Sequence, residues 1–264
     1  WKLDPDAIPI DHYPHTDLTN LNGCVVIYEP PVKNKDGIIP PGLYISGNDN
    51  YDHDQSTTDS LGSTQVMNSI TERIVAEYTG RPATASMFYN TNRYLLMYYN
   101  AIQNHENNLK GLLADMIKHR CEYLLCETPD IIKDKVDDKR VLSRSKGTPG
   151  TGPIIKYGLE LILEWLMRPA EPGTGRLMLN TIKSIALLDE LIYYNSKGNF
   201  DRVLALIYLL ILHEDRWHHK PDIDQIHKKE LHPFFANNPL VKMNKKSNNN
   251  IMNLNFNTRN IWDK

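Results

Sequence analysis

The sequence predicts an α/β domain built on a mixed β-sheet flanked by helices. Two observations carry that expectation. Several short apolar runs with period-two alternation crowd into the segment 43–78, and from residue 84 onward strand-like runs alternate with helical ones. A third, the apolar run 203–212, has the length of a core helix and falls well short of a bilayer span, so no membrane segment is expected.

The elements follow in order. Residues 1–41 hold seven prolines and one short strand, Cys24-Val25-Val26-Ile27-Tyr28, and read as a linker or docking arm. Leu43-Tyr44-Ile45-Ser46 opens the domain as a strand, and Gly47-Asn48-Asp49-Asn50 is expected to break it by turn chemistry. Two more strands are expected over 62–67 and 73–78. Gly80-Arg81-Pro82 then turns the chain into a helix over 84–99, on which Phe88, Tyr94 and Tyr98 are expected to pack. A strand from Ile102 ends at Glu106, a helix covers 109–119, and Tyr123-Leu124-Leu125-Cys126 is a further strand. The polar, Gly-rich segment 131–152 reads as a loop. Helices resume over 154–167, 184–194 and 201–213, the last apolar nearly all round and hence buried. Residues 42–219 thus make one domain. His213, His218 and His219 at its end lack a matching ligand set and read as a surface cluster. Residues 220–264 form a polar, Asn-rich extension with weak folding signals.

Composition is that of an ordinary soluble protein, with 41% hydrophobic and 23% charged residues. A net charge of −2 argues against a surface coated in basic residues but leaves room for a local basic groove. Three cysteines, two of them at the wrong spacing for a CxxC pair, suit a reducing compartment. The chain starts at Trp1, as an excised piece of a longer protein would, and no signal peptide opens it.

The chemistry-bearing candidates are carboxylates. Asp49 follows an apolar strand, Glu106 ends a second, and Asp201 opens the buried helix. Strand ends and helix starts are rigid places to hold oxygen ligands for divalent cations. Taken singly, each residue also fits a plain role: Asp49 as a turn former, Asp201 as a helix cap, Glu106 as part of a solvated patch. Asp52 and Asp54 are additional acids close to Asp49. Six basic residues, Lys133, Lys135, Lys139, Arg140, Arg144 and Lys146, lie in the Gly-rich segment and could grip phosphates without reading sequence, although three acids dilute them. Arg81 and Lys110 are lesser candidates for the same contact.

The order of these motifs resembles the nuclease domain of tailed-phage large terminases, and looks closest to those of large phages of gut bacteria. It is carried by Ser46-Gly47-Asn48-Asp49-Asn50-Tyr51-Asp52, Ser60-Leu61-Gly62-Ser63, Ile74-Val75-Ala76-Glu77-Tyr78-Thr79-Gly80-Arg81-Pro82, Glu106-Asn107-Asn108 and Asn199-Phe200-Asp201-Arg202-Val203-Leu204-Ala205-Leu206. The resemblance implies an RNase H-like sheet and a catalytic triad of Asp49, Glu106 and Asp201 holding two Mg²⁺ or Mn²⁺ ions about 4 Å apart, with Asp52 and Asp54 as further ligands. It implies cleavage of concatemeric double-stranded DNA during viral genome packaging in the host cytoplasm. The partners it implies are an N-terminal ATPase domain, the portal and the small terminase. No G-x-x-x-x-G-K-[ST] phosphate loop occurs in this chain, so motor activity is not expected of it. A Holliday-junction resolvase-like nuclease and a non-catalytic DNA-binding assembly module are the competing readings.

Overall fold

The computed structural model describes residues 21–52, 60–135, 145–171, 173–195 and 198–218. Its centre is a five-stranded mixed sheet of β1 (Cys24–Ile27), β2 (Tyr44–Asp49), β3 (Gly62–Asn68), β4 (Ile74–Gly80) and β5 (Ile102–His105), ordered β1-β4-β3-β2-β5. Strands β2, β3 and β4 form an antiparallel meander, and β1 pairs antiparallel with the outer side of β4. Helix α1 (Ala85–Tyr99) then carries the chain back so that β5 lies parallel to β2. A parallel partner requires such a crossover, because a hairpin reverses direction. This is the expected mixed α/β fold.

Helices cover both faces. On one lie α1 and α2 (Gly111–Lys118), where Phe88, Leu95, Leu96 and Tyr99 pack on Tyr44, Val66, Ala76 and Tyr78. Thr84 caps α1 by accepting a hydrogen bond from Met87 N, and Asn100 ends it in the left-handed region at φ 50°. On the other face lie α4 (Gly152–Met167), α5 (Ile185–Tyr193) and α6 (Asp201–His218), whose apolar side chains join Ile45, Met67 and Ile74. The short α3 (Asp130–Lys135) leans on α6. As expected of a helix apolar all round, α6 is buried from Asp201 through His213 apart from Leu204.

Helix α6 steps directly across the strands. The Arg202 carbonyl accepts from Gln65 Nε2 on β3, the Ala205 carbonyl lies over Gly47 on β2, and the Tyr208 carbonyl accepts from Asn104 Nδ2 on β5. Three residues of helix rise about 4.5 Å, close to the spacing of about 4.8 Å between strands. Each third carbonyl therefore meets the next strand. Gly47 permits the contact, since a Cβ there would lie 2.1 Å from the Ala205 oxygen.

Several expectations are corrected. Strand β2 runs through Gly47, Asn48 and Asp49 instead of breaking there. The Asn48 side chain donates to the Ser63 carbonyl and to Thr64 Oγ1, so its Nδ2 is satisfied inside the sheet and not in a turn. The apolar run 123–126 does not form a strand. A 3-10 turn, Glu122–Leu124, buries Leu124, and only Leu125 bridges to Gln103 of β5. Segment 131–152 is not wholly a loop: α3 occupies its start, and Thr148 pairs beside Glu106, with Thr148 N donating to the His105 carbonyl. Tyr94 and Tyr98 face solvent at 60% and 45% exposure, while Tyr89 and Tyr99 take the buried positions of α1. His213 is buried within 3.9 Å of Glu72, so it belongs to no surface cluster.

Candidate functional site: an acidic cleft at one end of the sheet

Side chains alternate along a strand. On β2, Ser46 and Asn48 bond on the α1 side, whereas Gly47 meets α6, so Asp49 belongs to the α6 side. On β5, Gln103 bonds to Asn92 of α1 and Asn104 to α6, which places Glu106 on the α6 side as well. The parallel register pairs Asn48 with His105, and Glu106 N donates to the Asn48 carbonyl. Asp49 and Glu106 are therefore neighbours at the C-terminal ends of two parallel strands. Asp201 arrives from the first turn of α6, above the start of β3, where it accepts from Leu61 N at 2.9 Å and Ser60 Oγ at 3.1 Å.

These three acids line one cleft of about 290 Å³ with Asn50, Tyr51, Asp52, Ser60, Arg81, Leu109, Asn199 and Leu204. Asp49 is 6% exposed. Burial, then the charges of Glu106 and Asp201, hold its carboxyl well above the usual carboxylate range. Burial raises the Asp201 carboxyl too, opposed by its bonds to Leu61 and Ser60 and by Arg202 and Arg81. Gly150 leaves room for the cluster: a Cβ there would lie 2.5 Å from Glu106 Oε1.

The other expected ligands fare differently. Asp52 lines the cleft, but its carboxylate accepts from Tyr89 Oη at 2.6 Å and from Gly111 N at 2.9 Å, which ties β2's exit to the start of α2. Asp54 lies outside the described residues, as do Lys139, Arg140 and Arg144. Lys133 and Lys135 fall on α3. Lys146 Nζ donates to the Leu125 carbonyl and pairs with Glu127, each at 2.8 Å. Lys110 donates to the Asn107 carbonyl.

Among the described residues, no three His, Cys, Asp or Glu side chains form a group that could hold a metal ion as they stand. The donor chemistry nevertheless fits a hard divalent cation. All the donors are oxygens. Asp49 lies buried among the like charges of Glu106 and Asp201, a concentration of negative charge that a cation would offset. Asn50 adds a buried oxygen beside the cluster: its Nδ2 is committed to the Glu106 carbonyl at 2.9 Å, and its Oδ1 has no hydrogen-bond partner.

Ser60, Asn50 and Glu190 were not singled out from the sequence. Glu190 of α5 is the most consequential, because it accepts from Arg202 N, Val203 N and Arg202 Nη1 and so caps the helix that carries Asp201. A glutamate in an amphipathic helix offers no sequence signal of such a contact.

Fold and site together define a mixed α/β domain with a carboxylate cleft at the open end of its parallel strand pair. No family model matches the chain, and no curated protein matches it. Its fold is similar to solved structures of the large terminase nuclease from thermophilic phage G20c. The structure with bound zinc has 14% identity and a TM-score of 0.45, covering 76% of this chain and 90% of that one. The structure with bound magnesium has 12% identity and a TM-score of 0.46, covering 77% and 90%. A third structure of the same nuclease has 14% identity and a TM-score of 0.44, covering 76% and 90%.

Proposed function

We propose that this chain is a metal-dependent endonuclease that cuts double-stranded DNA by phosphodiester hydrolysis. One observation carries the reading: Asp49, Glu106 and Asp201, far apart in sequence, meet in a single cleft in which Asp49 is buried among like charges. Burying uncompensated carboxylates costs stability, and their concentration at one concave site is the pattern of a functional centre.

In this reading Asp49, Glu106 and Asp201 hold two divalent cations, Mg²⁺ or Mn²⁺, with Asp52 and Asp54 as additional oxygen donors. The bound cations supply a nucleophilic water at neutral pH and charge support for the leaving oxygen. The protein's part is positioning. Rigid strand ends set Asp49 and Glu106 side by side, Glu190 fixes the start of α6, and Ser60 and Leu61 orient Asp201. Asn108 Nδ2 orients Glu106 through a 2.7 Å bond to Oε1. Lys133, Lys135, Lys139, Arg140, Arg144 and Lys146 are proposed to contact the DNA backbone.

The motif order also supports a role in viral genome packaging, on concatemeric DNA in the host cytoplasm. There the domain at 42–219 would act with an ATPase domain, portal and small terminase, the segments 1–41 and 220–264 serving as arm and extension. Among the described residues, no helix is long and apolar enough to cross a membrane. Plasmid cleavage in EDTA, Mg²⁺ and Mn²⁺, with wild type beside Asp49→Asn, tests the activity. Metal-dependent nicking or linearisation that Asp49→Asn loses is expected. A folded wild type that cuts no DNA with either ion sinks the enzymatic reading.

A further inference from the structure

Asn50 follows Asp49 at the exit of β2, lines the acidic cleft and is 6% exposed. Backbone pairing of β2 with β5 ends at Asn48 and His105, and the Asn50 side chain bridges the two segments just beyond that point. Its Nδ2 donates to the Glu106 carbonyl at 2.9 Å, which fixes the amide against the backbone of the second acid. Its Oδ1 is buried and, among the described residues, has no hydrogen-bond partner. An amide oxygen taken out of water without a donor is a cost to the fold. That oxygen belongs to the chain neighbour of Asp49, the acid crowded by Glu106 and Asp201. A single positive partner in the cleft accounts for both the orphaned oxygen and the crowded acids.

We propose that Asn50 Oδ1 is a further ligand of a divalent cation held by Asp49 and Glu106; the inference rests on the metal-dependent reading above. Hard cations take amide oxygens together with carboxylates. Among the described residues no three acids stand together as a ready metal group, so the shell needs an oxygen of another kind. A neutral one suits this position. Another carboxylate would add repulsion to a buried acidic cluster, whereas an amide fills a place in the shell without charge. The bond from Nδ2 to the Glu106 backbone sets the oxygen in place before the ion arrives, which reduces the ordering cost of binding.

The test measures metal binding to the full chain without DNA, for wild type, Asn50→Leu and Asn50→Cys, with circular dichroism and metal-free melting temperatures as the check on folding. In Mn²⁺ calorimetry Asn50→Leu, which keeps the bulk and loses the oxygen, is expected to raise Kd by roughly tenfold or more. Asn50→Cys offers a thiolate, which favours a soft cation such as Cd²⁺ over Mg²⁺ and releases its proton to the buffer as the metal–sulfur bond forms. Titrated with Cd²⁺, it is expected to show an ultraviolet thiolate-to-metal charge-transfer band that excess Mn²⁺ competes away. Wild type, with Cys24, Cys121 and Cys126 as its own thiols, gives the background. A brace acting only through Nδ2 could weaken Mn²⁺ binding in Asn50→Leu, but it would give no such band. A folded Asn50→Leu with wild-type Mn²⁺ affinity, or an Asn50→Cys with no band above background, overturns the ligand and leaves Asn50 as a brace for the Glu106 carbonyl. If Asn50→Leu does not fold, the Cd²⁺ titration decides alone. A wild type that binds no Mn²⁺ overturns the metal-dependent reading and this inference with it; a wild type that binds Mn²⁺, with the variants failing these tests, overturns Asn50 alone.

Discussion

The two faces of the central sheet both bury polar side chains, and they treat them in opposite ways. On the α1 face, Asn48 donates to Thr64, Thr64 to Asn92, Asn92 and Gln103 exchange hydrogen bonds at 2.9 and 2.8 Å, and Gln103 donates to Ser46. That chain crosses β3, β2 and β5, and Asn48 Oδ1 alone in it lacks a partner. At the end of the α6 face, Asp49, Glu106 and Asp201 are crowded, and burial holds two of the three carboxyls above their ordinary range. A buried polar group with its partners supplied specifies register. A buried carboxylate left among like charges is a cost the fold carries for another purpose.

The contrast is open to attack in a definite order of effect. The largest expected change is in activity: Asp49→Asn or Asp201→Asn should lower plasmid cleavage on the order of a thousandfold or more, with the circular dichroism spectrum unchanged. Retained cleavage removes that residue from the proposed centre. Next comes metal linkage. Adding Mn²⁺ to about a hundred times its dissociation constant should stabilise wild type by about 2.7 kcal/mol in denaturant unfolding. Asp49→Asn should show little of this, and an equal gain in both proteins would mean that the ion binds elsewhere.

On the opposite face, Asn92→Leu should cost about 1–3 kcal/mol, since it removes the donor to Gln103 Oε1 and the acceptor of the Thr64 hydroxyl. Its metal response should stay as in wild type, and a lost response would show that the two faces are not independent. The smallest effect is the most diagnostic. A carboxyl whose folded pKa is raised contributes stability that is fully present below the ordinary carboxylate range and is lost as pH rises through the folded value. Without divalent ions, Asp49→Asn should therefore melt a few degrees above wild type at neutral pH. The gain should disappear on acidification below the ordinary aspartate pKa. Equal melting temperatures at neutral pH would mean that the cluster carries no strain.

How far the sequence revealed this protein depended on the element. The helix over 84–99 was legible because Thr84 caps it and its periodicity is strong, yet which tyrosines are buried was not: Tyr89 and Tyr99 went inward where Tyr94 and Tyr98 were expected. The end of β2 misled because Gly-Asn-Asp is ordinary turn chemistry, and only the crossing of α6 over Gly47 makes that glycine a strand residue. The run 123–126 has a strand's composition, but only the Leu125 bridge and the bond from Cys126 N to the Gln103 carbonyl tie it to β5. Asp49, Glu106 and Asp201 were found through motif order. Ser60, Asn50 and Glu190 were not, because hydroxyl, amide and carboxyl groups at exposed-looking positions carry no spacing that marks them.

The sequence by itself determined the class of fold and most of the strands and helices, which rest on local periodicity, and its motif order pointed to three acids that line one cleft. Only the tertiary structure decided that Asp49 and Glu106 lie side by side, that Asp201 reaches them from across β3, and that Arg81 lines the same cleft. Those relations follow from the parallel register of β2 with β5 and from the path of α6 across the strands. Both are set by contacts between residues more than fifty positions apart, as the bonds from Asn104 to Tyr208 and from Gln65 to Arg202 illustrate. Local sequence holds no record of such distances.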